Sequence, residues 1–194
     1  MHCLAMNIDL QPILKDELIT LRPVRESDFD ELYRAASDPL IWEQHPSRER
    51  FLKENFTPYF REAVEWKSGF VVINNKTGRL IGNTRYYDLD LSERSVAIGY
   101  TFLAREYWGG LFNKSMKSLL INHCFQNGIG SVLFHIGVGN KRSQKALEKL
   151  GGERIRSIER EGQPYFEYEI TCEKWNFRKN ESISFVQKKT NQDL

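Results

Sequence analysis

The stretch Ser95 to Leu120, SVAIGYTFLAREYWGGLFNKSMKSLL, decides the fold. Its first nine residues, Ser95 to Leu103, read as a strand rich in β-branched and aromatic side chains. Gly109 and Gly110 break that pattern. Phe112, Met116, Leu119, Leu120 and Cys124 then recur every three to four residues, an amphipathic helix that stops near Asn127-Gly128. A largely apolar run from Ser131 to Val138 follows, suited to a buried strand, so the region predicts a strand-helix-strand unit. The turn between strand and helix is a place for an anion. Two glycines let the backbone present N–H groups without Cβ obstruction, and the unpaired amides and positive dipole end of the helix favour a phosphate, with Arg105 and Lys114 able to add charge. An ordinary glycine turn that merely starts a helix fits this segment equally well. Neither G-x-x-x-x-G-K-[ST] nor G-x-G-x-x-G is present, which argues against nucleotide hydrolysis and dinucleotide binding.

Upstream, Leu18 to Val24 alternates apolar and polar side chains as a strand does, with Pro23 near its end. Ser27 and the carboxylates after it open a short helix through Phe29, Leu32 and Tyr33. From Ser47 to Trp66 an apolar stripe predicts a helix that Pro58 divides in two or bends. Phe70–Ile73 and Leu80–Tyr87 form a hairpin about the turn 74–78, and Ser95–Leu103 continues the antiparallel meander. Downstream, Asn140–Leu150 is helical with Gly151-Gly152 as its stop, and two strands over about 153–160 and 165–172 flank the turn at 161–164. The order β-α-α-β-β-β-α-β-α-β-β predicts an α+β (mixed α/β) fold, a mixed, mostly antiparallel sheet of about seven strands with helices on both faces. Ligands favour the place where such a chain leaves hairpins for strand-helix-strand units, because strand ends splay there. One domain over 1–175 is expected, with a polar tail over 176–194.

Composition excludes several classes. Lys plus Arg number 28 against 26 Asp plus Glu, a formal charge of +2 that makes no electrostatic case for nucleic acid. No stretch approaches the roughly 20 apolar residues that span a bilayer, and the start lacks a basic region followed by an apolar run, so a cytoplasmic protein with no membrane partner is expected. Cys3, Cys124 and Cys172 stand apart without a neighbouring His cluster, which points to free thiols and no metal.

The opening Leu18-Ile-Thr-Leu-Arg-Pro-Val24, the strand Ile98-Gly-Tyr-Thr-Phe-Leu103, the Tyr107-Trp-Gly-Gly110 loop, and Asn140-Lys-Arg-Ser143 through Glu148-Lys-Leu-Gly151 together resemble the GNAT superfamily of acetyl-CoA-dependent N-acetyltransferases. The likeness is strongest to the branch of ribosomal-protein N-terminal acetyltransferases and covers roughly residues 17 to 172. It implies a GNAT-like sheet and acetyl-CoA as co-substrate, with the edge at Phe102 and Leu103 pairing with the pantetheine amides. It further implies that the loop Trp108, Gly109, Gly110, Leu111, Phe112, Asn113 and Lys114 receives the pyrophosphate, and that Asn140 contacts the cofactor arm. Ser143, one turn on, is the implied catalytic residue at the leaving sulfur. From the residues alone, Asn140 is simply a helix N-cap and Ser143 an exposed helix residue. Two positions depart from the family pattern. Leu111 stands where the family usually has Gly or Ala, and Leu147 stands where many members carry a proton-donating tyrosine.

The resemblance implies direct attack by an amine in a ternary complex, the acceptor being a peptide N-terminus or a small amine. An N-terminal amine, with a reference pKa of about 7.7–8.0, is roughly one-tenth neutral near pH 7, whereas lysine near 10.4 is almost wholly protonated, so a weak base suffices for the former. Glu93, His135, Glu159 and Glu161 are candidates for that base, although a packed histidine and solvated turn carboxylates fit as well. Asp88 and Asp90 beside Glu93 offer a cluster that attracts a cationic amine, and His123 falls on its helix's apolar stripe, where packing is the better reading. Core packing also accounts for Trp42, Trp66, Tyr86, Tyr87 and Tyr107, while Trp108 adjoins the glycines and the expected cofactor path. Two rivals remain: a non-catalytic acyl-CoA-binding or regulatory module of the same fold, and a phosphate-binding nucleotide enzyme. Monomer and homodimer are both open.

Overall fold

The structure is a computed structural model that describes residues 8–177. Cys3 and the expected tail beyond Phe177 lie outside the described residues. The strands are β1 (Leu14–Lys15), β2 (Ile19–Pro23), β3 (Gly69–Asn74), β4 (Leu80–Asp90), β5 (Ser95–Leu103), β6 (Ser131–Gly137), β7 (Glu153–Arg160) and β8 (Gln163–Thr171). The principal helices are α1 (Phe29–Ala36), α2 (Lys53–Glu65), α3 (Leu111–Gln126) and α4 (Lys141–Leu150). All eight strands join one sheet in the order β1-β2-β3-β4-β5-β6-β8-β7. Every neighbouring pair is antiparallel except β5 with β6. The expected meander and strand-helix-strand unit are therefore present, with the two-residue β1 added at the edge.

Helices cover both faces, and the strands' two-residue period divides the core between them. On β3, Phe70 and Val72 pack with Met116, Leu120 and Ile121 of α3 and with Leu147 of α4. Val71 between them packs with Leu32 of α1 and Phe56 of α2. Local chemistry fixes the helix starts. Arg22 forms a two-pronged ion pair with Asp28, both contacts at 2.7 Å, and Asp28 also accepts the Arg25 N–H at 2.8 Å just ahead of α1. The Asn140 side chain accepts the Ser143 N–H at 3.1 Å, and Gly151 closes α4 in the left-handed region at φ 105°.

One expectation needs correction. α2 begins at Lys53 rather than Ser47, because 47–52 close as turns, and it is one helix with Pro58 inside it rather than two segments. Phe56, Tyr59, Phe60 and Ala63, buried on both sides of Pro58, hold the rod against the sheet, so packing outweighs the lost backbone hydrogen bond. Among the described residues, no helix is long and apolar enough to cross a membrane. Cys124 and Cys172 are free thiols, the former buried.

Candidate active site

β5 and β6 pair in parallel only from Ser95 to Ala97 on one strand and Ser131 to Leu133 on the other. Beyond that point they part. β5 carries an extra residue in the parting region: Gly99 lies opposite Arg85 and Phe102 opposite Asn83, so Tyr100 and Thr101 together face Thr84. Tyr100 takes φ 50°, a left-handed conformation that L side chains rarely adopt. The bulge changes which side of β5 faces which helices. Val96 and Ile98 belong to the α3 side, whereas Tyr100 and Phe102 belong to the α1/α2 side. Tyr59 of α2 holds this strained segment, its hydroxyl lying 2.5 Å from the Tyr100 carbonyl and 2.8 Å from Asn83 Oδ1.

The parting strands, α3, α4 and the segment 41–46 line a cleft of about 230 Å³ that opens to solvent. Among the residues assigned to cofactor from sequence, Phe102, Leu103, Trp108, Gly109, Asn113, Asn140 and Ser143 line it. Gly110, Leu111, Phe112 and Lys114 do not. Leu111 is 68% exposed, Lys114 faces solvent, and Phe112 packs edge-on against Tyr107 with ring centres 4.8 Å apart. Gly110, Leu111 and Phe112 can serve an anion only through the backbone amides of the first turn of α3, whereas Lys114 can add its charge from the solvent side. Leu111, pointing outward, does not close the cleft. Trp108 is fixed twice, its indole N–H donating to the Leu103 carbonyl at 2.9 Å and its ring lying 3.8 Å beneath the Arg142 guanidinium. Arg142 also donates to the Ile41 carbonyl at 2.9 Å, tying α4 to the far wall. Asn140 Oδ1 is spent on capping α4, which leaves its amide N–H₂ for a ligand.

On the α1/α2 side of the cleft lies a polar chain drawn from four strands. Glu167 of β8 accepts from His135 Nε2 at 2.9 Å, and His135 Nδ1 lies 2.7 Å from the Tyr87 hydroxyl and 3.1 Å from Arg160 Nη1. An ionised carboxylate only accepts, so neutral His135 carries its proton on Nε2 and Nδ1 is the acceptor. Gly99 makes this chain possible: a Cβ there would come within 2.7 Å of the Tyr87 ring. Burial lowers the His135 pKa below its ordinary 6.5; Glu167 opposes that shift and Arg160 adds to it. Burial would raise Glu167, but hydrogen bonds from Arg156 and His135 more than offset it and hold its pKa low. Nearby, burial and the charges of Arg50 and Arg142 pull the His45 pKa down to about 3, so this cleft-lining imidazole is neutral. Arg85 is fully buried among the rings of Tyr100, Tyr59 and Trp66, at 4.2, 4.9 and 5.0 Å; its Nη2 donates to the Tyr59 carbonyl, its Nη1 is ion-paired with Glu62 at 3.5 Å, and its Nε has no hydrogen-bond partner among the described residues.

Of the base candidates, His135 alone lines the cleft. Glu93, Glu159 and Glu161 are exposed, and Asp90 is engaged by the backbone of Ser92 and Glu93 in the turn after β4. Asp88 is exposed and pairs with Arg160 at 2.7 Å. His123 bonds the Asp9 carbonyl and packs as expected. Trp66, read as a packing residue, is 46% exposed and stands edge-on to Tyr100.

Sequence reasoning passed over Lys117, which lines the cleft from α3. Only 8% of it is exposed; its ammonium donates to Thr101 Oγ1 at 2.9 Å and sits 5.3 Å from the Phe134 ring. Burial pulls its pKa down to about 7. A signal was present: Lys117 is one turn before Ile121, on the side of α3 that carries Ile121 and Cys124 into the core. Glu167, Arg142 and Tyr100 were also missed, each placed by residues distant in sequence, as was His45, which is held locally by Trp42, Ser47 and Arg50.

The sequence model described as an acetyltransferase (GNAT) domain matches residues 19–153. None of the curated protein sequences matches the chain. Among solved structures of similar fold is a GCN5-related N-acetyltransferase from Brucella melitensis, 16% identical over 86% of this chain and 81% of that one, with a TM-score of 0.75. RimJ of Mycobacterium smegmatis in complex with CoA-disulfide is 20% identical over 84% and 87%, at 0.64. A ribosomal-protein-S5-alanine acetyltransferase from Vibrio fischeri is 17% identical over 85% and 99%, also at 0.64.

Proposed function

We propose, from the fact that the chain belongs to the GNAT acetyltransferase family, that it transfers the acetyl group of acetyl-CoA to a primary amine by direct attack in a ternary complex. The observation that carries this reading is the parting of β5 from β6. Past Ala97, the edge of β5 toward β6 is unpaired and faces an open cleft, where the amide-bearing pantetheine arm can be held as a further strand would be. Phe102 and Leu103 lie on that edge, with the Leu103 carbonyl already accepting from Trp108. Gly109 and Asn113 at the mouth, with the free amides that begin α3, suit a pyrophosphate, and the Asn140 amide faces the arm from α4.

The amine enters from the α1/α2 side. His135 Nδ1, oriented by Glu167, accepts the proton it loses, directly or through the Tyr87 hydroxyl. Ser143, on the first turn of α4, donates a hydrogen bond to the departing sulfur. A peptide N-terminus is the favoured acceptor, since a base of lowered pKa serves an amine that is already partly neutral, with a small-molecule amine as the second class.

Thiol release from acetyl-CoA, followed against a panel of N-terminal peptides, polyamines and amino acids, tests it. Release that depends on one amine class supports transfer and names the acceptor. Tight acetyl-CoA binding with no release for any amine would replace it with a non-catalytic acyl-CoA-binding module.

A further inference from the structure

The departing sulfur needs a proton, and Ser143 cannot supply it: an alcohol is a far weaker acid than a thiol, so its hydroxyl can hydrogen-bond a thiolate but not protonate it. The family's usual position for a stronger acid holds Leu147. We propose that Lys117, reaching the cleft from α3, is the proton donor to the coenzyme sulfur.

The placement rests on three features. First, Lys117 lies seven residues beyond Gly110, about 10 Å along the helix from the end suited to the pyrophosphate. Its hydrogen bond to Thr101 holds the ammonium beside β5 nearer to the paired end of the strands than Phe102 and Leu103, the direction in which an arm lying along that edge would end in sulfur. Second, its surroundings leave it unsatisfied. Among the described residues it has one hydrogen-bond acceptor, Thr101 Oγ1, for three N–H donors, and no carboxylate pairs with it. A nine-tenths-buried ammonium with two free donors calls for an anion or acceptor that arrives with a ligand. Third, the Phe134 ring and the apolar face of α3 keep the group dry, so a thiolate formed beside it would be strongly attracted.

The proton balance closes. The amine nitrogen bonds to the carbonyl carbon, the carbon–sulfur bond breaks, and its electron pair goes to sulfur. Lys117 gives sulfur a proton and becomes a neutral amine, while His135 takes the proton shed by nitrogen. Loss of that proton from His135 to solvent and uptake of one by Lys117 restore both groups.

This inference rests on the acetyl-CoA reading, and the test separates the two. Wild-type protein, Lys117→Met and Lys117→Gln are titrated by calorimetry with CoA and with desulfo-CoA, which lacks the sulfur, each variant's fold being checked by circular dichroism. Wild type should bind CoA about tenfold more tightly than desulfo-CoA, the scale of one hydrogen bond to a charged group. Both variants should bring the two ligands within about twofold, since glutamine keeps a donor for Thr101 but not the charge. A preference undiminished in the folded variants, or none in wild type, would overturn the assignment. Wild type binding neither ligand would defeat the acetyl-CoA reading, and this proposal with it.

Discussion

The two ends of the β5–β6 pair contrast sharply in construction. From Ser95 to Ala97 the strands are in register, and Val96 and Val132 are fully buried in the aliphatic core above α3. Six residues along β5, the strands have parted, Tyr100 is in a left-handed conformation, and the space between them gathers a buried lysine, a hydrogen-bonded histidine and a stacked Trp108–Arg142 pair. The closed end is held by burial of apolar surface, which tolerates almost any well-shaped hydrophobe. The open end holds polar groups whose desolvation the fold must offset one bond at a time. Along this strand pair aliphatic packing prevails at one end and polar side chains gather at the other.

Overfilling the buried β4–β5 seam directly behind the open end, where Gly82 faces Leu103, should have the largest effect. A Cβ at Gly82 would come within 2.2 Å of the Phe102 carbonyl oxygen and 2.8 Å of Leu103 Cδ2, so Gly82→Val should destabilise the protein by about 3 kcal/mol or more, read as a lower urea midpoint. At the open end, His135→Asn should lower kcat/KM at least about 100-fold with little change in coenzyme affinity. The pH profile gives the sign. Because the folded pKa of His135 is below 6.5, the neutral base is fully present above pH 6.5, and wild-type activity falls as pH drops through the lowered value. That acid limb should be missing from the variant. By the same linkage, the depressed pKa contributes stability above pH 6.5 that is lost as pH falls toward the folded value.

A smaller effect is expected where the two regions meet. Tyr59→Phe removes the hydroxyl that holds the Tyr100 carbonyl and should cost about 1 kcal/mol of stability in denaturant titration, with a larger proportional loss of turnover than a distant variant of equal stability. Smallest is Leu111→Gly. Its side chain is 68% exposed, so acetyl-CoA affinity by calorimetry should stay within about twofold and stability within about 1 kcal/mol.

The contrast also explains what could be read from the sequence. The period-two strands and the Met116-Leu120-Cys124 stripe carry the order of elements, because apolar burial imposes a repeat on the residues that create it. The loop glycines and Asn140 were legible as turn and cap chemistry. The bulge was not, since Tyr100 is a residue no local rule places at positive φ, and its conformation depends on Tyr59, 41 residues away. His135 could be named but not distinguished from a packed histidine until Glu167, 32 residues later, was brought beside it. Pro58 left open whether the helix divides or continues as one rod, and aromatic packing on α2 decides for one helix.

The central claim is that the open end of β5–β6 is a coenzyme cleft. Calorimetric titration of the folded protein with acetyl-CoA, with ATP as the control, tests it most directly. Saturable one-to-one binding of acetyl-CoA is expected, with none of comparable strength for ATP, because the pantetheine arm along β5 carries the recognition. Absence of acetyl-CoA binding, or equal binding of ATP, would contradict it.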